Sequence, residues 1–362
     1  MAWVERHGGK WRVRYPTGDG TLASDSGFPT KTAAQERAKD IDFRLRHPEP
    51  KEQRANRMSL SEWIEVWSQA HDVSRGTWAK YRSHLRNHVE PRFGGSALSD
   101  ISRMQVKGWV KSLRTRLAPA TVTDVVTLLS MLLGEAVEEN LIGSNPCRRL
   151  RISTGDFRER QIAEPWQVTR IAQRMPEGLG LLVVTAAYTG LRWGELAALQ
   201  WKRVDLVEGT VRVDPQTGAL HEIGGRVELG PPKTPASVRT VHLPKFLTDA
   251  LHVHRGIQDH DHVFTGAEGG VLRRSNFRHR FWLPAVAGTE RRGLAPLLPG
   301  FHFHDLRHTH KTWMIEDKIP EIAQHARLGH RMQGAQGIYS HVTKVMIDDI
   351  LARLSRRWEI TQ

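Results

Sequence analysis

Apolar positions along this chain recur with changing period, and each period predicts a different kind of element. Residues 2–30, AWVERHGGKWRVRYPTGDGTLASDSGFPT, alternate around Trp3, Val4, Trp11, Val13 and Tyr15, with turn signals at HGGK and TGDG. That pattern predicts a short antiparallel sheet. KTAAQERAKDIDFRLR follows with helical spacing, enough for one helix across the sheet, so residues 1–46 read as a small module. HPEPKEQRANRM (47–58) is polar, holds two prolines and has no periodicity, which marks a linker. From 59 to 153 the period is helical throughout. Ser59 and Glu62 form an S-x-x-E capping box ahead of Trp63, Ile64 and Trp67. A second helix, capped by Ser74 and expected to stop at Pro91, buries Trp78, Tyr81, Leu85 and Val89. SRMQVKGWVKSLRTRL is the third, PATVTDVVTLLSMLLGEAVEENL a longer and more apolar fourth, and NPCRRL ends the domain.

A second polar, basic linker (154–165) leads to a domain of mixed pattern, 166–362. The apolar run Leu179–Ala187 predicts a core helix broken by TGL, after which RWGELAALQW starts another. Strand signals follow in VEGTVRVDP, GRVELGPP and SVRTVHLP, the last two flanking PPKTPAS as an expected hairpin tip. Helical spacing returns in KFLTDALHVHRGI, RSNFRHRFWLPAV and the HDLRH region. It closes in SHVTKVMIDDILARL, with Val345, Ile347, Ile350, Leu351 and Leu354 on one face. The fold class expected is multidomain α+β: a small sheet with a helix, an all-α four-helix domain, then a mainly α domain carrying a small antiparallel sheet.

Composition narrows the function. At 362 residues the chain exceeds one average domain, and 39% hydrophobic residues suffice for ordinary cores. No apolar run reads as a membrane span, and MAWVERHGGKWRVRY lacks the apolar region of a signal peptide. The single cysteine, Cys147, excludes an internal disulfide and fits a reducing cytosol. Lys and Arg outnumber Asp and Glu by 53 to 39, a net charge of +14 that points to nucleic acid. A generically basic protein or one touching anionic lipid has the same total, but no basic amphipathic anchor helix stands out. Lys10, Arg12 and Arg14 sit on strands that could enter a DNA groove, and Thr77 and Lys80 on the second helix could meet phosphates. A structural hairpin and a solvated helix face are the competing readings of those residues.

The residues that carry chemistry lie mostly in HFHDLRHTHKTWMIEDKIPEIAQHARLGHRMQGAQGIYS. His304 and Arg307 are three apart and share a helix face. The glycine of LGH can end one helix and leave His330 at the junction. Tyr339 follows nine residues later and is one of only four tyrosines. Arginine binds phosphate oxygens bidentately, histidine moves protons and tyrosine can attack, so the set suggests phosphoryl chemistry. Arg192, at a helix start where backbone N–H groups favour anions, adds a second guanidinium, which Glu195 could orient or merely pair. Lys233, on a turn, could protonate a leaving oxygen or be an ordinary loop lysine. His302, His304, His308 and His310 also look like a metal tract. Only His304 and His308 have helical i, i+4 ligand spacing, and no glutamate completes the motif.

Arg192 in TGLRWGEL, Lys233 in PPKTPASVRTVHLP, His304 and Arg307 in HDLRH, His330 in LGH and Tyr339 in YSHV together resemble the tyrosine recombinase (phage integrase) family, in order and spacing. The resemblance covers nearly the whole chain. GFPTKTAAQERA is similar to the turn into helix of the three-stranded arm-type DNA-binding module of bivalent integrases. It implies an arm module (1–46), a core-binding domain (59–153) and a catalytic domain (166–362) with a C-terminal oligomerisation helix near Lys344–Trp358. It also implies strand exchange through a 3′-phosphotyrosyl link on Tyr339, without ATP, metal or other cofactor. Arg192 and Arg307 would hold the non-bridging oxygens, Lys233 would act as the acid, His304 as the base, and His330 would bond a phosphate oxygen. The implied partners are double-stranded attachment-site DNA, a homo-tetramer on paired sites, an excisionase and a DNA-bending host protein, in a cytoplasmic, nucleoid-associated setting. A Xer-like dimer-resolving recombinase and a catalytically silent DNA-binding regulator are the alternatives on the same scaffold.

Overall fold

The computed structural model describes residues 2–16, 21–46, 58–152, 159–257, 259–266, 269–331 and 341–361. The chain divides into two compact units, Met1–Phe157 and Arg158–Gln362. In the first, strands Trp3–His7, Lys10–Pro16 and Leu22–Phe28 form an antiparallel sheet in sequence order. The turn in HGGK is made by Gly8 and Gly9, with φ of 56° and 80°, the left-handed conformation that a two-residue hairpin needs. Helix Lys31–Arg46 lays Ala34, Ala38 and Ile41 against Val13, giving the small core that the sequence indicated.

Residues 58–152 are helical, and the capping box is present: Glu62 N–H donates to Ser59 Oγ (3.3 Å) and Ser59 N–H to Glu62 Oε2 (2.7 Å). This fixes the start of helix Leu60–Ala70, whose Trp63 indole donates to Leu132 O (2.9 Å) and so pins the first helix to the fourth. The second helix does not stop at Pro91. Arg75–His84 passes through a π turn, Leu85–Val89, into Glu90–Phe93. In the wide turn Glu90 N–H donates five residues back to Leu85 O, and Pro91 falls in the first turn beyond it, where a missing N–H costs little. The fourth helix, Pro119–Glu138, also corrects the sequence reading. It has 20 residues, and its most apolar 18 have a mean hydropathy of 1.5, long and apolar enough to cross a membrane by composition alone. Here Val122, Val125, Leu129, Leu132 and Leu133 are instead fully buried in the bundle. Cys147 joins the same core, and burial pushes its thiol up to about 12.

The second unit is built around helix Glu177–Thr189, buried on nearly every side, with Pro165–Gln173 packed beside it. Its core begins before Trp166: Ala163 is buried and its N–H donates to Thr309 Oγ1 (3.1 Å). Strands Val204–Asp205, Thr210–Arg212 and Thr240–His242 form one antiparallel sheet, and Ala219–Ile223 with Arg226–Gly230 form a separate hairpin. PPKTPAS is therefore not a hairpin tip. Gly224 and Gly225, with φ of 58° and 79°, turn the chain just ahead of GRVEL, so that strand pairs with the one before it. SVRTVHLP pairs with Thr210–Arg212 instead, and Lys233 rides on the crossover between the two sheets. Helices Lys245–Gly256, Asp305–Glu316, Glu321–Leu328 and Lys344–Glu359 complete the unit, with a helical run from Arg274 to Ala287 that contains a π turn. The last helix packs on its own unit: Ile350 and Leu354 are buried, and Trp358 stacks on Phe246 at 4.5 Å.

Candidate active site

Two helix stops set up the site. Gly190 ends Glu177–Thr189 with φ of 66°, and a Cβ there would lie 2.7 Å from Leu328 Cδ2 and 2.8 Å from His310 Cδ2. Only glycine satisfies both the backbone and the space. The buried carbonyl of Gly190 accepts from Arg307 Nη1–H, and Leu328 O, just before the second stop at Gly329, accepts from Nη2–H. Arg307 Nη2–H also donates to His330 Nε2 (2.9 Å). Three bonds thus fix a guanidinium that has five N–H groups, leaving the rest for a ligand. Arg307 is 5% exposed and has no carboxylate partner among the described residues. Burial, then the nearby Arg192 and Arg239 charges, push it down to about 9.

Arg192 is held differently. Its Nη1–H donates to Glu195 Oε1 (2.8 Å) and to Ser237 Oγ (2.9 Å), while its own backbone N–H donates to Glu195 Oε2 (3.0 Å). The backbone N–H groups expected to be open to an outside anion thus include one taken by Glu195. Glu195 is 4% exposed. Burial alone would raise its carboxyl, but Arg239 and Arg192 outweigh that and hold it below the ordinary range.

His304 sits at the N-terminus of Asp305–Glu316, edge-on to His308 with ring centroids 5.2 Å apart. Both rings keep an open side to solvent, but desolvation by the surrounding atoms, then the His308, Arg307 and Arg160 charges, push His304 down to about 4, and desolvation, then Arg307 and Arg192, push His330 down to about 4. Both imidazoles are therefore neutral at pH 7. His330 Nε2 accepts from Arg307, so its proton is on Nδ1. Arg192, Glu195, Lys233 and His304 line a common cavity of about 590 Å³, with Trp193, Phe277 and Phe303 also in its wall. Lys233 is exposed there.

The structure thus brings Arg192, Lys233, His304, Arg307 and His330 into one neighbourhood. Tyr339 lies outside the described residues. The histidine tract does not converge on a metal: His310 is fully buried, its Nδ1–H donating to Ala187 O (2.8 Å) and its Nε2 accepting from Arg327 (3.0 Å). Among the described residues no group of three or more His, Cys, Asp or Glu could hold a metal ion. Lys80 is paired with Asp124 at 2.7 Å, Arg12 with Glu5, and Thr77 Oγ1 with the cap Ser74 Oγ at 2.9 Å. Arg14 lies over the Trp3 ring, and Lys10 is exposed. Sequence reading missed Arg239, Arg327 and Ser237. The signal available was slight: an arginine in each of two mixed segments, SVRTVHL and QHARLG.

Residues 165–346 match the model of the phage integrase family, and residues 59–114 that of the phage integrase N-terminal SAM-like domain. The putative prophage phiRv2 integrase of Mycobacterium tuberculosis is 28% identical over 358 residues, covering 96% of this chain and 93% of that protein. The Tn1549 transposon integrase, solved in complex with a circular intermediate DNA, is similar in fold with a TM-score of 0.65 at 17% identity, over 83% of this chain and 99% of that one. A lambda integrase tetramer bound to a Holliday junction gives 0.59 at 18% identity, over 94% and 98%.

Proposed function

We propose, for a chain that belongs to the phage integrase family and is a site-specific tyrosine recombinase, that it integrates and excises a mobile element through Tyr339. The observation that carries this reading is Arg307: a buried guanidinium with no carboxylate among the described residues, beside Arg192, is a standing demand for an anion. A phosphodiester meets that demand. Arg192 and Arg307 take the two non-bridging oxygens and offset the charge that builds as the tyrosyl oxygen attacks phosphorus. His304 accepts the phenolic proton, which an unaided phenol of pKa about 10 gives up poorly; the negative charge of the phosphodiester opposes the cationic neighbours that depress this imidazole and so restores its basicity. Lys233 gives a proton to the departing 5′ oxygen. His330 is oriented by Arg307, with its Nδ1–H turned to a phosphate oxygen. The phosphotyrosyl bond keeps the energy of the broken diester, so rejoining is the same step reversed with a new 5′ hydroxyl.

The remaining assignments rest on this one. Residues 1–46 form the arm-type module and 59–153 the core-binding domain, with Lys10, Arg12, Arg14, Thr77 and Lys80 on DNA-facing surfaces. For Lys80 and Arg12 this requires exchanging Asp124 and Glu5 for phosphate. Four copies act on paired sites in the cytoplasm, at the nucleoid, with an excisionase and a DNA-bending host protein setting direction. Helix Lys344–Glu359, which follows the nucleophile, packs on its own unit through Ile350, Leu354 and Trp358, and its exposed side, with Val345, couples neighbouring copies. The test is a nicked suicide duplex carrying the element's junction sequence, incubated in EDTA. Wild-type protein is expected to form a covalent protein–DNA adduct, and Tyr339→Phe none. Cutting that needs a divalent metal, or equal cutting by the Phe variant, overturns the reading.

A further inference from the structure

Arg239 is absent from the chemistry above, yet its guanidinium bonds the carboxylate that holds Arg192 and the backbone close to Lys233 and to the Leu328 carbonyl that holds Arg307. The side chain is 6% exposed. Its Nη2–H donates to Glu195 Oε2 (2.9 Å) and Nη1–H to Glu195 Oε1 (3.3 Å), the carboxylate that also holds Arg192. Nη1–H donates as well to Ser237 O (2.8 Å), at the end of the crossover that carries Lys233, and Ser237 Oγ is the other acceptor of Arg192. Nε–H donates to Arg327 O (2.7 Å), one residue before the Leu328 carbonyl that anchors Arg307 and three before His330. The packing there is close: a Cβ on Gly329 would lie 2.9 Å from Arg239 Nη1.

We propose that Arg239 is a positioning residue for strand cleavage, bracing Arg192, the Lys233 crossover and the Arg307–His330 pair into one rigid frame. The inference rests on the recombinase reading. Guanidinium is the group that suits this place, because its planar fork addresses the Glu195 carboxylate and two carbonyls in fixed directions while an ammonium is a single point. Replacing it by lysine keeps a positive charge beside Glu195, so the buried carboxylate is not stranded, but it frees the three supports from one another. A small loss of alignment is enough to depress a rate that depends on placing groups around one phosphorus.

The test compares wild type, Arg239→Lys and Arg239→Gln in single-turnover cleavage of the suicide duplex at saturating DNA, together with DNA affinity and thermal melting. For Arg239→Lys the expected result is cleavage slowed by about 100-fold or more, with DNA affinity within about threefold and melting within a few degrees. Arg239→Gln is expected to be slower still. A second substrate carries a methylphosphonate at the scissile position, which removes the negative charge that Arg192 and Arg307 must face. The deficit of the Lys variant should shrink to about tenfold or less there, since misplaced guanidinium groups matter less to a neutral phosphorus. Three results overturn the inference alone: a Lys variant that cleaves like wild type, equal deficits on both substrates, or a Lys variant melting more than about 10 °C lower, which marks a merely structural residue. No adduct from wild type overturns the recombinase reading, and this inference with it.

Discussion

Arg192 and Arg307 serve the same phosphate in the proposed chemistry, but their surroundings separate them in the laboratory. Arg192 shares Glu195 with Arg239, so Arg192→Ala leaves that carboxylate paired. Arg307→Ala strands the carbonyls of Gly190 and Leu328 in a buried place. Both variants are expected to cleave the suicide duplex about 10³-fold more slowly or worse, with DNA affinity changed only a few-fold. Chemical denaturation should then show Arg307→Ala destabilised by about 2–4 kcal/mol and Arg192→Ala by clearly less. His310 supplies a pH test. It works as a neutral ring between Ala187 O and Arg327, and burial, then the Arg327 charge, hold it well below its ordinary value. The unfolded chain takes up the proton near pH 6.5 while the folded chain refuses it, so this stability is complete above that pH and falls as the solution is acidified. The melting temperature should drop between pH 7 and pH 5, and His310→Gln should melt lower at pH 7 but with a shallower pH dependence.

At the scale of elements, the caps and stops that act within a few residues are the most legible features of the sequence. The Ser59–Glu62 box, the glycine pair of HGGK, the TGL stop and the LGH stop each act within a few residues, and each is where it was expected. Two expectations failed, one because a wide helical turn carries no signal in the sequence and one because strand pairing is not local. Pro91 normally ends a helix, but a π turn absorbs it. PPKTPAS lies between two apolar strands, yet their partners are elsewhere. The supports of the site were illegible for a related reason: nothing in SVRTVHL or QHARLG distinguishes a buried arginine that bonds carbonyls from a surface one. Gly190→Ala tests the helix stop. Strain at φ of 66° and the overlap with Leu328 and His310 are expected to cost about 1–3 kcal/mol in denaturation and to slow cleavage by loosening Arg307. Pro91→Ala should shift stability by under about 1 kcal/mol, since the turn already accommodates the ring.

For the whole molecule, the balance of 53 basic against 39 acidic residues is expected to give an affinity for DNA that falls steeply with added salt, checked by binding at about 50 and about 200 mM salt. Removing residues 1–46 should leave cleavage of an isolated core site intact and weaken integration. Undiminished integration by the shortened chain would remove the arm assignment. The central claim, however, concerns one covalent bond. Full-length protein trapped on the suicide duplex in EDTA can be digested with nuclease and protease, and the nucleotide-bearing peptide sequenced by mass spectrometry. The expected result is a single 3′-linked nucleotide on Tyr339. A nucleotide on any other residue, or cleaved DNA with no protein attached, would contradict it.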